Sequence, residues 1–245
     1  MSFRLSKRIY KIAEKVRQGE SAADIGTDHG YVPMLLMRNH VSPFVIMSDI
    51  SEGSLAKAKE TFAISGIDVP DSCFRTGDGL STVKPGEVDA IIIGGLGGLT
   101  IAGILADDPQ KSRSFKKIIM QPRKHSGNLR YYLYTNGWDI TDEDLAPEGK
   151  FICEIITAEV SGDDHPRTAP YPEDDIRWKY PESIIYADPR LALNRIRWKI
   201  SSLEEQETNL SSGETEHRDI LKKIKEDHSY LIKLEEKAVN ALKTF

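Results

Sequence analysis

Short apolar runs, separated by helical or loop segments, set the pattern of the first 120 residues. The runs are Ala22–Ile25, Phe44–Met47, a weak one at Cys73–Phe74, Val88–Ile93 and Lys117–Met120. Helical patterns fall between several of them, notably at Ser54–Ser65 and Leu99–Ala106. Short, uniformly apolar runs read as strands buried on both faces, and strands alternating with helices predict a parallel sheet covered on both sides. Two more runs, Trp138–Ile140 and Phe151–Ala158, have no helix between them. They read as an antiparallel pair at the end of the sheet.

The rest of the chain organises around that sheet. Leu5, Ile9, Ile12, Ala13 and Val16 recur at helical spacing and predict an amphipathic first helix ended by Gly19. Residues 161–183 hold Gly162, Pro166, Pro170, Pro172 and Pro181 among several acids, which predicts a connector rather than a core segment. Beyond it, Leu193, Ile196, Ile200, Leu203 and Leu210 fit a heptad seam broken at Glu207. The seam resumes after Ser211-Ser212-Gly213 at Ile220, Ile224, Leu231, Leu234, Ala238 and Ala241, with Asp227 interrupting it. Two such helices form an antiparallel coiled-coil hairpin. The expected fold is thus α/β, a Rossmann-like domain over residues 1–160, a connector over 161–187 and a helical hairpin over 188–245.

Length and composition fit this plan: 245 residues, 39% hydrophobic and 29% charged, suffice for one α/β domain and a smaller unit. The N-terminus lacks the apolar stretch of a signal peptide, and no run approaches the roughly 20 apolar residues that span a bilayer. The only cysteines, Cys73 and Cys153, sit in apolar stretches, so a reduced, cytoplasmic protein is expected. The net charge of −5 weakly disfavours a nucleic-acid partner, but Arg4, Lys7, Arg8, Lys11, Lys15 and Arg17 concentrate positive charge in the first helix.

The most informative segment is Ala23-Asp24-Ile25-Gly26-Thr27-Asp28-His29-Gly30-Tyr31, which joins an apolar run to the helix start at Pro33. Its glycines allow backbone to approach a nucleotide-like ligand closely. It is not a dinucleotide fingerprint, because Asp28 stands where a second glycine would admit a pyrophosphate. An acid there repels phosphate and suits a ligand with a cationic end, as S-adenosylmethionine has in its ammonium and sulfonium groups. Asp49 closes the second run about 25 residues after Asp24, placed to accept from ribose hydroxyls. Asp78, in Gly77-Asp78-Gly79-Leu80, follows the third run, where a carboxylate can accept from an adenine amine. Three acids at successive strand ends point to an adenosine-containing ligand.

Ile91-Ile92-Ile93 then runs into Gly94-Gly95-Leu96-Gly97-Gly98, either a floor for a flat ligand or a tight start to a helix. No Gly-Lys-Ser/Thr follows, so it is not a phosphate-hydrolysing loop. Gln121 and Arg123, after the fifth run, sit on the same rim. Gln121 can bond a base edge and Arg123 can hold phosphate or pair with a neighbouring loop. His29 suits either acid/base work or a supporting role. Asp163-Asp164-His165 reads as solvated, no zinc pattern is present, and no metal is expected.

With these residues assembled, the chain resembles the bacterial tRNA (adenine(22)-N1)-methyltransferase family. The resemblance rests on Leu5-Ser6-Lys7-Arg8, Ala23–Pro33 with Asp28-His29 in its turn, Ser48-Asp49-Ile50 and Gly77-Asp78-Gly79-Leu80. Gly94–Gly98, Gln121-Pro122 and Gly149-Lys150-Phe151 complete it. It covers about residues 4–160, with the connector and hairpin similar in arrangement. One departure stands out: the family carries asparagine after Gln-Pro where this chain has Arg123, which leaves the substrate position more open than the cofactor.

The resemblance implies methyl transfer from S-adenosylmethionine to N1 of an adenine in the tRNA D-arm. On that reading Asp24, Gly26, Asp28, His29, Gly30, Asp49, Ile50, Asp78, Gly79, Gly94 and Gly95 hold the cofactor, and Asp28 and His29 carry any chemistry. Arg4, Lys7, Arg8, Lys11, Tyr31, Gln121 and Arg123 would meet the tRNA, with the hairpin as a further grip. Two alternatives stay open: a small-molecule or protein methyltransferase on the same fold, or a non-catalytic cofactor-binding module that assembles through its hairpin.

Overall fold

The computed structural model describes residues 4–162, 166–211 and 218–244. Asp163-Asp164-His165 and the Ser212-Gly213 turn lie outside the described residues. Seven strands form one sheet: β1 (Ala22–Ile25), β2 (Val45–Asp49), β3 (Phe74–Thr76), β4 (Ala90–Leu96), β5 (Lys117–Pro122), β6 (Trp138–Glu148) and β7 (Phe151–Val160). Their order is β3-β2-β1-β4-β5-β7-β6. β1 to β5 run parallel, and β7 is antiparallel to both of its neighbours. The expected antiparallel pair is therefore present, and it is longer than its apolar runs.

The two-residue period of the strands divides the core. Ala23, Ile91 and Ile118 point to one face and pack with Ile101 and Leu105 of α4 (Gly98–Asp107) and Leu129 and Leu133 of α6 (Ser126–Thr135). Ala22, Ile92 and Ile119 point to the other and meet Ile12 of α1 (Lys7–Ala13) and Val32 and Leu36 of α2 (Tyr31–Arg38). α3 (Glu52–Ser65) packs Leu55 and Phe62 beside α2, and a short α5 (Pro109–Ser112) follows α4. Each fully buried Val, Leu or Ile side chain contributes about 1.5–3 kcal/mol to this arrangement.

Three expectations change. The first helix stops at Ala13, well before Gly19, and just beyond it the Lys15 carbonyl accepts from the buried Lys117 ammonium at 2.7 Å. α6 has no counterpart in the sequence reading, because its apolar face is little more than Leu129 and Leu133, and its buried Arg130 reads as a surface residue. The proline-rich segment is more than a connector. It holds α7 (Ile176–Lys179) and α8 (Ser183–Ala187), and it buries Ile176, Tyr180, Ile184 and Ile185.

Those side chains join the seam of α9 (Pro189–Ser211) and α10 (Arg218–Leu242) in one cluster with Leu145 of β6. Arg197 pairs with Glu235, Glu204 with His228 and Glu207 with Lys225, an opposed order that makes the two helices antiparallel. The seam residues Leu193, Ile196, Ile200, Leu203, Ile224, Leu231, Leu234 and Ala238 are buried, whereas Ile220 is exposed. No helix among the described residues is long and apolar enough to cross a membrane.

Candidate active site

From β1 the chain winds outward to β2 and β3, then crosses back to place β4 on the other side of β1. At such a reversal the loops beyond adjacent strands part and leave a crevice at their carboxyl ends. A cleft of about 620 Å³ opens there. It is lined by Asp24, Gly26, Asp28, His29, Tyr31, Asp49, Ile50, Asp78, Gly79, Gly94, Gly95, Arg8 and Arg123, so thirteen of the residues singled out in the sequence converge on one place.

The first turn is built for exposure of backbone. Gly26 takes φ 75° with open space where a Cβ would lie. Asp28 takes φ 45°, a left-handed conformation that aspartate tolerates better than most side chains. Gly26 and Thr27 donate to the Ser48 carbonyl at 2.8 and 3.0 Å, and Asp28 N donates to Asp49 Oδ2 at 3.1 Å. The other Asp49 oxygen accepts from Ser51 N at 2.9 Å. Asp49 thus fixes the turns after β1 and β2 together. Asp24 is buried and accepts from the Thr27 hydroxyl at 2.8 Å. Burial, with the nearby Asp49 charge, pushes its pKa up to about 6, against the opposing pull of the Thr27 hydrogen bond and Arg8.

Other expected roles shift. Gly30 does not line the cleft: it caps α2 at φ 65°, and a Cβ there would stand 3.0 Å from Cβ of Ala58 in α3. Its absence of side chain serves helix packing. The Asp28 carboxylate, 57% exposed, pairs with Lys57 at 3.1 Å. A solvated, already paired carboxylate is a weaker partner for the cationic end of a ligand than an unpaired, buried one. The His29 ring stacks on Tyr31 with centroids 5.1 Å apart and planes 5° from parallel.

The glycine run divides its duties. Gly94 and Gly95 face the cleft, the latter at φ 80° with the Arg123 guanidinium 3.7 Å from where its Cβ would stand. Gly98 instead starts α4, where a Cβ would collide with the His125 carbonyl. The run thus lines the cleft at Gly94 and Gly95 and starts the helix at Gly98. Arg123 is exposed and has no ion-pair partner among the described residues. Gln121 is buried and does not line the cleft; its side-chain oxygen accepts from Arg8 Nη1 at 3.2 Å. A buried amide already bonded in this way supports Arg8 instead of meeting a base.

The basic first helix is largely neutralised within the fold. Arg8 Nε donates to both Glu148 oxygens at 2.8 and 2.9 Å, while Lys11 and Lys15 share Asp144, each at 2.9 Å. Lys15 also pairs with Asp142, and Arg17 with Glu159. Arg8 and Lys11 are therefore poor phosphate ligands, whereas Arg4 and Lys7 are exposed with no ion-pair partner among the described residues. Sequence reasoning passed over Ile9, Ile12, Thr27, Thr100 and Ile104, which also line the cleft. The three isoleucines carry only a core-like helical signal.

A wider groove of about 1050 Å³ runs along α10, but Lys222, Lys223 and Arg177 there pair with Glu226, Asp227 and Asp175. Among the described residues no cluster of three metal-ligating side chains occurs, and both cysteines are free.

A methyltransferase domain family matches residues 5–156, the sheet and its cleft. A Bacillus subtilis tRNA (adenine(22)-N(1))-methyltransferase is 37% identical over 161 residues, 66% of this chain and 67% of that protein. The chain belongs to the tRNA (adenine(22)-N(1))-methyltransferase family. The crystal structure of the B. subtilis m1A22 tRNA methyltransferase TrmK has a TM-score of 0.76 at 27% identity, covering 96% of this chain and 100% of that one. Streptococcus pneumoniae Sp1610, solved in complex with S-adenosyl-L-methionine, shares the fold with a TM-score of 0.77 at 22% identity, over 94% and 99% of the two chains. Both structural likenesses extend across the helical pair, so α7 to α10 belong to the methyltransferase architecture shared with these proteins.

Proposed function

We propose that this chain transfers a methyl group from S-adenosylmethionine to N1 of adenine 22 in the D-arm of tRNA, in the cytoplasm. The observation that carries the reading is the placement of Asp24, Asp49 and Asp78 around one cleft, at the ends of three adjacent parallel strands. Asp49 suits the ribose hydroxyls, Asp78 the adenine amine, and the Asp24–Gly26 turn a cationic amino-acid end. Exposed Ile50 offers an apolar surface beside Asp49. S-adenosylmethionine supplies an electrophilic methyl group on a sulfonium. Neutral adenine already bears a lone pair at N1, so the residues of the cleft need supply no strong base. Their task is to align the acceptor and exclude water. Gly94 and Gly95 present no side chain to the cleft, and Arg123, with no ion-pair partner among the described residues, adds a cation to its lining.

Incubating the protein with labelled cofactor and unmodified bulk tRNA, then mapping the methylated nucleotide, tests the proposal. Label at N1 of adenine 22 is the expected result. Transfer only to proteins or small molecules, or cofactor binding with no transfer, would overturn it.

A further inference from the structure

The tip of the β6–β7 hairpin carries an unexplained aromatic side chain. Phe151 is 65% exposed at the start of a strand whose middle is buried. It pairs in register with Glu148, and Cys153 lies two residues further along its own strand. Paired residues, and residues two apart, share a face of the sheet. Glu148 and Cys153 are in contact, and Glu148 holds Arg8, which lines the cleft. Phe151 therefore stands on the cleft side of the hairpin, beyond the Arg8–Glu148 pair. The Lys150 ammonium lies 5.4 Å from its ring centroid, and Arg123, without an ion-pair partner among the described residues, lines the cleft beside Gly95.

We propose that Phe151 is the stacking platform for the acceptor adenine, with Lys150 and Arg123 facing the flanking phosphates. The inference rests on the proposed tRNA reading and adds to it a residue that touches the base. A base drawn out of its helix loses its stacking neighbours, and an exposed aromatic ring on the cleft side of the hairpin replaces one of them. The reaction adds a second reason. As N1 bonds to the methyl carbon, the carbon–sulfur bond breaks, its electron pair stays on sulfur, and the positive charge passes to the adenine ring. A phenyl face attracts that ring more strongly as it becomes cationic. Phe151 thus stabilises the transition state more than the bound substrate.

The test compares Phe151→Ala, Phe151→Leu and Phe151→Tyr in the full chain, measuring tRNA affinity without cofactor, cofactor affinity, thermal unfolding and single-turnover methyl transfer. Because Phe151 is exposed, all three variants should unfold at the wild-type temperature and bind cofactor normally. Alanine and leucine should each weaken tRNA binding and slow the single turnover, together by about ten- to a hundredfold. Tyrosine should stay within about threefold of wild type, since its ring stacks as well. Wild-type affinity and rate in the alanine variant would overturn the proposal, as would full rescue by leucine, which restores bulk without a π face. Absence of transfer by the wild-type protein itself would instead refute the tRNA reading.

Discussion

The guanidinium of Arg195 in α9 donates to the Glu154 carboxylate in β7 at 2.5 Å, tying the helical pair to the sheet. Arg130 of α6, only 2% exposed, holds the same carboxylate at 2.6 Å and Glu143 of β6 as well. Burial would raise the Glu154 pKa, but Arg195 and Arg130 outweigh it and hold the carboxyl below its ordinary range. Glu154→Ala would leave two guanidinium groups short of a counter-charge and should cost about 3–5 kcal/mol. Denaturant midpoints read this directly, and a loss below about 1 kcal/mol would show that water reaches the network.

The same contact changes what truncation should do. The sequence, with its proline-rich stretch and separate apolar seam, predicts that residues before Ser183 fold alone. In the structure, removal of 183–245 strips Ile184, Ile185 and Ile196 from Leu145 and Tyr180 and takes Arg195 from Glu154. The truncated chain is expected to lose cooperative unfolding or to melt far below the full chain. A sharp thermal transition near that of the full chain would restore the independent domain.

Asp24 gives the cleft a pH dependence. Its pKa of about 6 in the fold exceeds the usual carboxylate value, so the folded state binds its proton more tightly than the unfolded chain. The neutral acid carries no penalty below about pH 4, and the penalty of ionising it grows between pH 4 and 6 and is complete above. Two pKa units correspond to about 3 kcal/mol. Asp24→Asn, which keeps an acceptor for Thr27, should therefore raise stability at pH 8 by up to that amount and leave it unchanged at pH 4. It should also weaken cofactor binding, and wild-type affinity should fall as pH drops through 6. Equal stabilisation at both pH values would show that Asp24 is not the group responsible.

What the sequence made legible was local. The turn from Asp24 to Tyr31, Asp49 and Asp78 sit next to apolar runs, so spacing alone placed them at strand ends. The partners of the first helix were illegible: Arg8 meets Glu148 and Lys11 meets Asp144 across more than 130 residues, and no pattern within the helix announces either. Gln121 looked like a base reader for the same reason, since its bond to Arg8 depends on how α1 crosses β5. The core role of Ile176 to Ile185 was masked by prolines, which punctuate the segment without keeping it on the surface.

Asp49 separates cofactor binding from folding less cleanly than its place at a strand end implies. Its carboxylate accepts from Asp28 N and Ser51 N, bonds that persist beside any ribose hydroxyls. Asp49→Ala should weaken S-adenosylmethionine binding by about 1.5–3 kcal/mol, the range for a charged hydrogen bond. Asp49→Asn keeps one acceptor and should lose less. Calorimetry at pH 8 compares the two, and unchanged affinity in the alanine variant would remove Asp49 from the site.

Arg123 offers the clearest separation of substrate from cofactor. It lines the cleft, lies against Gly95 and has no carboxylate partner among the described residues, whereas Arg8 and Lys11 nearby are already neutralised. A cation in that position attracts phosphate regardless of sequence, and each phosphate neutralised contributes about 0.7–0.9 to the slope of log affinity against log salt. Arg123→Ala should therefore lower that slope by roughly one such increment and weaken binding to all tRNAs alike. Arg123→Asn, which also removes the charge, should do the same to the slope. Cofactor affinity should be untouched in both, because the acids that suit the cofactor lie at the ends of β1 and β2 and just after β3 and not beside Arg123. Salt titrations of tRNA binding decide the matter. An unchanged slope with weakened methylation would assign Arg123 to positioning the base and leave the phosphate contacts to Arg4, Lys7 and the helical pair.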